Sequence, residues 1–162
     1  MGSKQSNPLA GFEAIWQRVT GSAEAPETTQ AWDDISVLVR FIEATLRSAR
    51  LYTGLSAYCG GPVRNTLLRL ASEERRRFKQ LQTELFLLSG DNCAPQMPPE
   101  RSRGTLSALR SAYNNERVSA EAYMSSAGHT QSDRLRALYL RSAAEERHHA
   151  ETLRRLIQRA LG

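Results

Sequence analysis

The segment 145–149, with the sequence EERHH, carries a carboxylate and an imidazole at a spacing suited to metal binding. Glu146 and His149 are three residues apart in a segment with a helical pattern. Their side chains therefore share one helix face, with Cβ atoms about 5–6 Å apart, and can bind one metal ion together. A related segment, EERRR at 73–77, lies 72 residues earlier, but Arg77 stands there at the position that corresponds to His149.

Each of four helical segments carries one glutamate in or beside its apolar stripe: Glu43, Glu74, Glu116 and Glu146. Burying an unpaired carboxylate costs several kcal/mol, and a whole domain is stable by only about 5–15 kcal/mol. Four such residues need a shared cation if they are buried. The first pair is separated by 31 residues and the second by 30, with offsets of 73 and 72 between them. This spacing predicts a duplicated hairpin that places all four carboxylates at one level.

The elements that would position these residues are four helices, at about 30–58, 62–89, 103–127 and 132 to the end. Their apolar residues recur in alternating steps of three and four, which is typical of helix bundles. Short turns predict antiparallel hairpins for helices 1–2 and 3–4, and the link at about 90–102 is long enough to run the height of the bundle. The sequence predicts an all-α fold with the ferritin-like arrangement, two hairpins joined by a long crossover. Residues 1–30 are expected to form a short helix and a linker, and residues 31–162 the bundle.

Composition narrows the class of protein. A chain of 162 residues is most simply one globular domain, and its apolar runs are far shorter than the roughly 20 residues of a membrane span. The net charge of +5 comes from arginines that are spread over every helix, which argues against a nucleic-acid-binding protein. The first residues lack the apolar core of a secretion signal, so we expect a cytoplasmic protein. Cys59 and Cys93 flank one long helix and are expected to stay unpaired.

The arrangement resembles the ferritin-like superfamily, and within it the rubrerythrin-type di-iron proteins, over about residues 31–160. The family pattern is a Glu on helices 1 and 3 and a Glu-x-x-His on helices 2 and 4. The second half of this chain matches the pattern through Glu116, Glu146 and His149, with Tyr123 seven residues after Glu116. The first half matches it through Glu43 and Glu74. Arg77 departs from it, and so does Ser119, where some members carry an additional Glu.

The departure at Arg77 leaves three alternatives open. A guanidinium neither deprotonates nor binds a metal, but it can pair with a carboxylate. Arg77 could therefore pair with Glu43 or Glu74 and replace one metal ion, leaving the other to Glu116, Glu146 and His149. Alternatively, Arg77 reaches solvent and two metals remain, or no metal is bound.

The resemblance implies a metal site formed by Glu43, Glu74, Glu116, Glu146 and His149, holding one or two iron ions, with manganese as the alternative metal. It implies an iron-dependent oxidoreductase that reduces peroxide or oxidises ferrous iron. A metal-binding or storage protein without turnover and a structural bundle are the other hypotheses. Tyr113 and Tyr123 flank Glu116 and are expected to hydrogen-bond a ligand carboxylate. Glu73 and Glu145 are expected to be exposed partners of nearby arginines. We also expect a homodimer, and the residues identify no electron donor.

Overall fold

The chain folds into a four-helix bundle. The computed structural model describes residues 29–97 and 104–161, and these ranges contain four helices and no strand: α1 Thr29–Ser56, α2 Gly61–Ser89, α3 Thr105–His129 and α4 Asp133–Leu161. The all-α fold with two hairpins is therefore confirmed. The short helix and linker predicted at the N-terminus lie almost entirely outside the described residues. None of the four helices combines the length and apolar character that crossing a membrane would require.

The helix ends follow from local sequence. Gly90 takes a left-handed conformation with φ of 71° and donates its N–H to the carbonyl of Phe86, which closes α2. Ser132 caps the start of α4, because its hydroxyl accepts a hydrogen bond from the N–H of Leu135. The third helix, predicted to end at about 127, continues through Gly128. This glycine does not adopt a positive φ, so α3 runs on to His129 and ends where Thr130 turns to extended backbone.

The link after α2 runs back along the bundle. It bonds first to α2, where the Gln82 amide donates to the Cys93 carbonyl at 2.7 Å, and then to the last third of α1, where Arg50 donates to the Met97 carbonyl at 2.9 Å. The first turns of α3 accordingly pack at the bundle end where α1 finishes and α2 begins. Helices α2 and α3 therefore run in the same direction, and each hairpin packs against the other through the pairs α1–α3 and α2–α4.

The buried side chains form two apolar clusters with a polar layer between them. One cluster lies at the end of the bundle where α1 and α4 begin: Leu38, Phe41, Ile42, Leu81, Leu85, Tyr123, Ala127, Leu135, Leu138, Tyr139 and Ala143. The other lies at the opposite end: Tyr52, Leu55, Leu67, Leu70, Ala71, Leu109, Ala112, Leu153 and Leu156. Along α2, α3 and α4, buried charged residues lie between the members of the two clusters and form the polar layer: Glu74, Arg77, Glu116, Glu146 and His149. The apolar clusters thus shield a charged layer from water on both sides.

Candidate metal centre

The polar layer brings together four of the five predicted ligands. Glu74 on α2, Glu116 on α3, and Glu146 and His149 on α4 are each at most 4% exposed. One ligand atom from each residue lies within 4.8 Å of the others, so this group could hold a metal ion. Helical spacing explains the local arrangement, since Glu146 and His149 are one turn apart on the face of α4 that is buried.

Arg77 lies inside this layer, fully buried, and it is the principal partner of two carboxylates. Its Nη1 donates to both oxygens of Glu74, at 3.0 and 3.1 Å, and to Oε1 of Glu146 at 2.5 Å. Its Nη2 donates to Glu145 at 3.0 Å. Burial would lower the pKa of Arg77, but the charges of Glu146 and Glu74 outweigh it and raise the pKa above its usual value. The guanidinium is therefore a permanent cation in the site.

Glu116, Glu146 and His149 each have two polar side-chain atoms, and one of the two is in contact with another residue. The phenol of Tyr52, on α1, donates to Oε1 of Glu116. The Nε2 atom of His149 lies 2.8 Å from Oε2 of the half-buried Glu73. Oε1 of Glu146 is taken by Arg77. These partners leave one atom of each residue facing the interior: Oε2 of Glu116, Oε2 of Glu146 and Nδ1 of His149.

The three inward atoms lie close to the geometry of a metal site. Nδ1 of His149 is 3.7 Å from Oε2 of Glu116 and 3.8 Å from Oε2 of Glu146. Atoms that bind one ion at about 2.0–2.2 Å lie about 3–3.5 Å apart, so each of these two pairs is within a few tenths of an ångström of that spacing. Among the described residues, neither Nδ1 of His149 nor Oε2 of Glu146 has a hydrogen-bond partner. Nδ1 does approach Glu74 Oε1 to 2.8 Å, but this contact does not meet hydrogen-bond geometry.

The pKa values indicate that protons compete for these inward atoms. Burial would lower the pKa of His149, but Glu116 and Glu74 beside the ring raise it to about 9. Burial raises the pKa of Glu146 well above its usual value, and the neighbouring carboxylates Glu116 and Glu74 act in the same direction. Burial opposes a low pKa at Glu116, yet its contacts with Glu146, His149 and Tyr52 lower it.

The charges of the layer leave room for one divalent cation. Three buried carboxylates and one guanidinium sum to −2 when His149 is neutral, and a single divalent ion restores neutrality. Without the ion, protons on His149 and Glu146 produce the same balance. Glu73 and Glu145, at the edge of the layer, are also paired with the exposed residues Arg69 and Arg76. The residues present therefore fit one ion.

Glu43 is not brought to this layer, contrary to the sequence analysis. Its side chain is exposed. The pKa of Cys93 in the link is raised, mainly because the thiol is partly buried and also because the charge of Glu43 is near it. The reason is helical geometry, because Glu43 follows the fully buried Ile42 and so points about 100° away from it. The inward positions of α1 at this level are Thr45, Ala49 and Tyr52. The expected pairing of Arg77 is met by Glu74 and not by Glu43. Cys59 and Cys93 are both free.

The aromatic residues expected beside the ligands are only partly placed as predicted. Tyr123 is buried, with its ring 6.0 Å from the guanidinium of Arg77 and its hydroxyl 3.5 Å from the hydroxyl of Thr45. Tyr113 is half-buried and packs beside Arg117, and the structure gives it no hydrogen bond to a ligand. Tyr52 has that role instead. One sequence signal could have identified it: Tyr52 follows Thr45 by seven residues, as Tyr123 follows Glu116.

Comparison of the chain with family models, with curated proteins and with solved structures found no match in any of the three. A function for this protein must therefore be argued from the geometry and charge of the layer itself.

We predict that Arg77→Met destabilises the protein by about 3–5 kcal/mol when no metal is added, because it leaves the buried carboxylates without their cation. The matched control is Arg76→Met, which removes an arginine that is 58% exposed and should cost at most about 1 kcal/mol. Urea unfolding in the presence of a chelator measures both. Equal losses for the two variants would contradict the central role given to Arg77.

The raised pKa of His149 makes the stability of the metal-free protein depend on pH. A group whose pKa rises from 6.5 in the unfolded chain to about 9 in the folded one stabilises the fold fully below pH 6.5. That contribution is lost as the pH rises through 9. We therefore expect the free energy of unfolding to decrease between pH 6.5 and 9, and His149→Gln to flatten this part of the curve. An unchanged slope in the variant would show that another group is responsible.

Proposed function

We propose that this protein binds one divalent first-row transition metal ion through Glu116, Glu146 and His149, with Glu74 shared between the ion and Arg77. The observation that carries the proposal is the convergence of three inward ligand atoms. In each of these residues the other polar atom of the side chain is already in contact with a different residue. Such outer partners fix the orientation of metal ligands in proteins. Two of these inward atoms, Nδ1 of His149 and Oε2 of Glu146, are buried and have no hydrogen-bond partner in the described part of the chain, which also supports the proposal.

The ligand set favours iron or manganese. Carboxylates suit hard divalent ions such as manganese, and imidazole suits iron and zinc, so a site with several carboxylates and one imidazole lies between these preferences. Neither cysteine belongs to the group of ligand atoms, so thiolate ligation is not part of the proposal. Tyr52 and Glu73 would orient Glu116 and His149 towards the ion, and Arg77 would hold Glu146 and Glu74.

We further propose that the protein is an iron-dependent oxidoreductase of the rubrerythrin type, which reduces peroxide or oxidises ferrous iron. Bound iron would supply the redox chemistry. The chain's own residues would exclude water through the two apolar clusters, and Arg77 would keep a fixed positive charge beside the carboxylates. The resemblance noted in the sequence supports this part through Glu74, Glu116, Glu146 and His149. The homodimer stays a prediction.

A structural bundle without metal is the second candidate, and one observation favours it. Arg77 together with a protonated His149 balances most of the buried negative charge, and the raised pKa of Glu146 removes the rest. The layer is therefore neutral in two states, with one ion or with two protons. Measuring metal content decides between these candidates, because only the first predicts tight binding near neutral pH.

We predict that His149→Ala lowers the affinity for Fe²⁺ or Mn²⁺ at least about 100-fold, because it removes an inward ligand atom. The matched control is His148→Ala, which alters the exposed neighbouring histidine and should leave affinity unchanged. Titration followed by elemental analysis gives both values. At a free metal concentration 100 times the dissociation constant, the ion should also stabilise the wild type by about 2.7 kcal/mol. Absence of a bound ion in the wild type would favour the structural candidate.

The oxidoreductase proposal predicts that iron-loaded wild type consumes hydrogen peroxide faster than free iron at the same concentration. Glu116→Gln should reduce this rate at least about tenfold, because it weakens a ligand that Tyr52 orients. Glu121→Gln changes an exposed glutamate on the same helix and serves as the control. A loaded wild type that is no faster than free iron would leave a metal-binding protein without turnover.

A further inference from the structure

The two hairpins are related by an internal repeat that extends through the polar layer. Positions in the first hairpin correspond to positions 71 or 72 residues later in the second. The corresponding pairs are Thr45 and Glu116, Tyr52 and Tyr123, Glu73 and Glu145, Glu74 and Glu146, and Arg77 and His149. Two of these pairs differ in their chemistry, since a threonine corresponds to a glutamate and an arginine to a histidine.

The hydrogen bonds at the rim of the layer obey the same symmetry. Tyr52 of the first half donates to Glu116 of the second, and the hydroxyl of Tyr123 of the second half lies 3.5 Å from that of Thr45 of the first. Likewise, His149 Nε2 contacts Glu73 at 2.8 Å, and Nη2 of Arg77 donates to Glu145 at 3.0 Å. Each half therefore supports the corresponding residue of the other half.

The centre of the layer is also symmetric, with Arg77 in the place of an ion. Glu74 and Glu146 are the two carboxylates that lie between the halves. Nη1 of Arg77 contacts three of their oxygens, at 2.5, 3.0 and 3.1 Å. A metal ion bound by both carboxylates would make contacts with the same groups. The symmetry-related position is the one bounded by Nδ1 of His149 and Oε2 of Glu116, where the proposed ion binds.

The two exchanges compensate the charge of one divalent ion. Threonine at position 45, in place of a glutamate, removes one negative charge from the first half. Arginine at position 77, in place of a histidine, adds one positive charge that cannot be lost. Together they change the buried charge by two units, which is the charge of a divalent metal ion. Either exchange alone would leave the layer one unit out of balance, which is costly at this depth.

We propose that Thr45 and Arg77 act as a pair that replaces a second metal ion and limits this centre to one. The inference rests on the proposed function for the second half of the site, and it adds the residues that decide how many ions bind. Both side chains are buried, with Thr45 3% exposed and Arg77 0% exposed.

The experiment compares four proteins: the wild type, Thr45→Glu, Arg77→His and the double variant. Each is titrated with Mn²⁺, and bound metal per chain is measured after gel filtration, with helical content by circular dichroism as the test of folding. The expected result is one ion for the wild type and for each single variant. The double variant should bind two ions, the second at least about 100-fold more tightly than in the wild type. Magnetic coupling between them should indicate a separation of about 3.5–4 Å.

Two results would overturn the proposal. The first is a folded double variant that binds no more Mn²⁺ than the wild type. The second is a single variant that binds the second ion as tightly as the double variant, because this would show that the residues do not act as a pair. If the double variant does not fold, Thr45→Asp with Arg77→His adds less volume and is judged by the same criteria.

The same experiment tests the proposed function and the pairing of Thr45 with Arg77 separately. A wild type with one ion and a folded double variant with one ion would overturn the pairing of Thr45 and Arg77 while leaving the metal site of the second half in place. A wild type without metal and a double variant with two ions would overturn the proposed function and support the pairing. The metal content of the wild type therefore tests the proposed function, and the additional ion in the double variant tests the pairing of Thr45 with Arg77.

Discussion

A guanidinium buried between two carboxylates is the interaction on which the interior of this protein depends. Arg77 contacts Glu74 and Glu146 with a single nitrogen atom, and it cannot lose its proton at any ordinary pH. Buried ion pairs of this kind are weak evidence for extra stability, but removing one partner is strongly destabilising. The polar layer therefore exists because this cation and these carboxylates are present together.

The bundle gives the layer its position and its dryness. Each helix contributes apolar side chains above and below the layer, so the charged groups lie in the middle of the bundle, away from its ends. Because Glu74 and Arg77 belong to one hairpin and Glu116, Glu146 and His149 to the other, the layer is complete only when the hairpins have docked. The cross-hairpin contacts, such as Tyr52 with Glu116 and Glu73 with His149, link the orientation of each ligand to that docking.

Much of this arrangement could be read from the sequence. Helical periodicity and turn residues located the four helices, and the one-turn spacing of Glu146 and His149 identified the face of α4 that enters the polar layer. The choice of Glu43 failed because a glutamate beside an apolar stripe was taken as part of it, although one residue corresponds to about 100° around a helix. Glu43 has the expected residue type, but the position of α1 that corresponds to Glu116 in the internal repeat is occupied by Thr45.

Other features lie beyond single-sequence patterns. The contact between Arg77 and Glu146 depends on how α2 and α4 are rotated against each other, and the spacing along either helix alone does not define this rotation. The bond from Tyr52 to Glu116 joins residues 64 positions apart and likewise follows from the packing of α1 on α3. Periodicity shows which face of a helix is buried, and docking determines which side chains meet there.

The reversed course of the chain after α2 has a consequence for assembly. Because this link bonds to α2 through Gln82 and then to the last third of α1 through Arg50, α3 begins at the end of the bundle where α1 finishes and runs antiparallel to α1. A direct connection would have started α3 at the other end, where α1 begins, and made α3 run parallel to α1. The first turns of α3, with Leu109 and Ala112, would then lie beside the start of α1 and not beside Tyr52 and Leu55. The length of an otherwise irregular segment thus determines which residues of the two hairpins become neighbours.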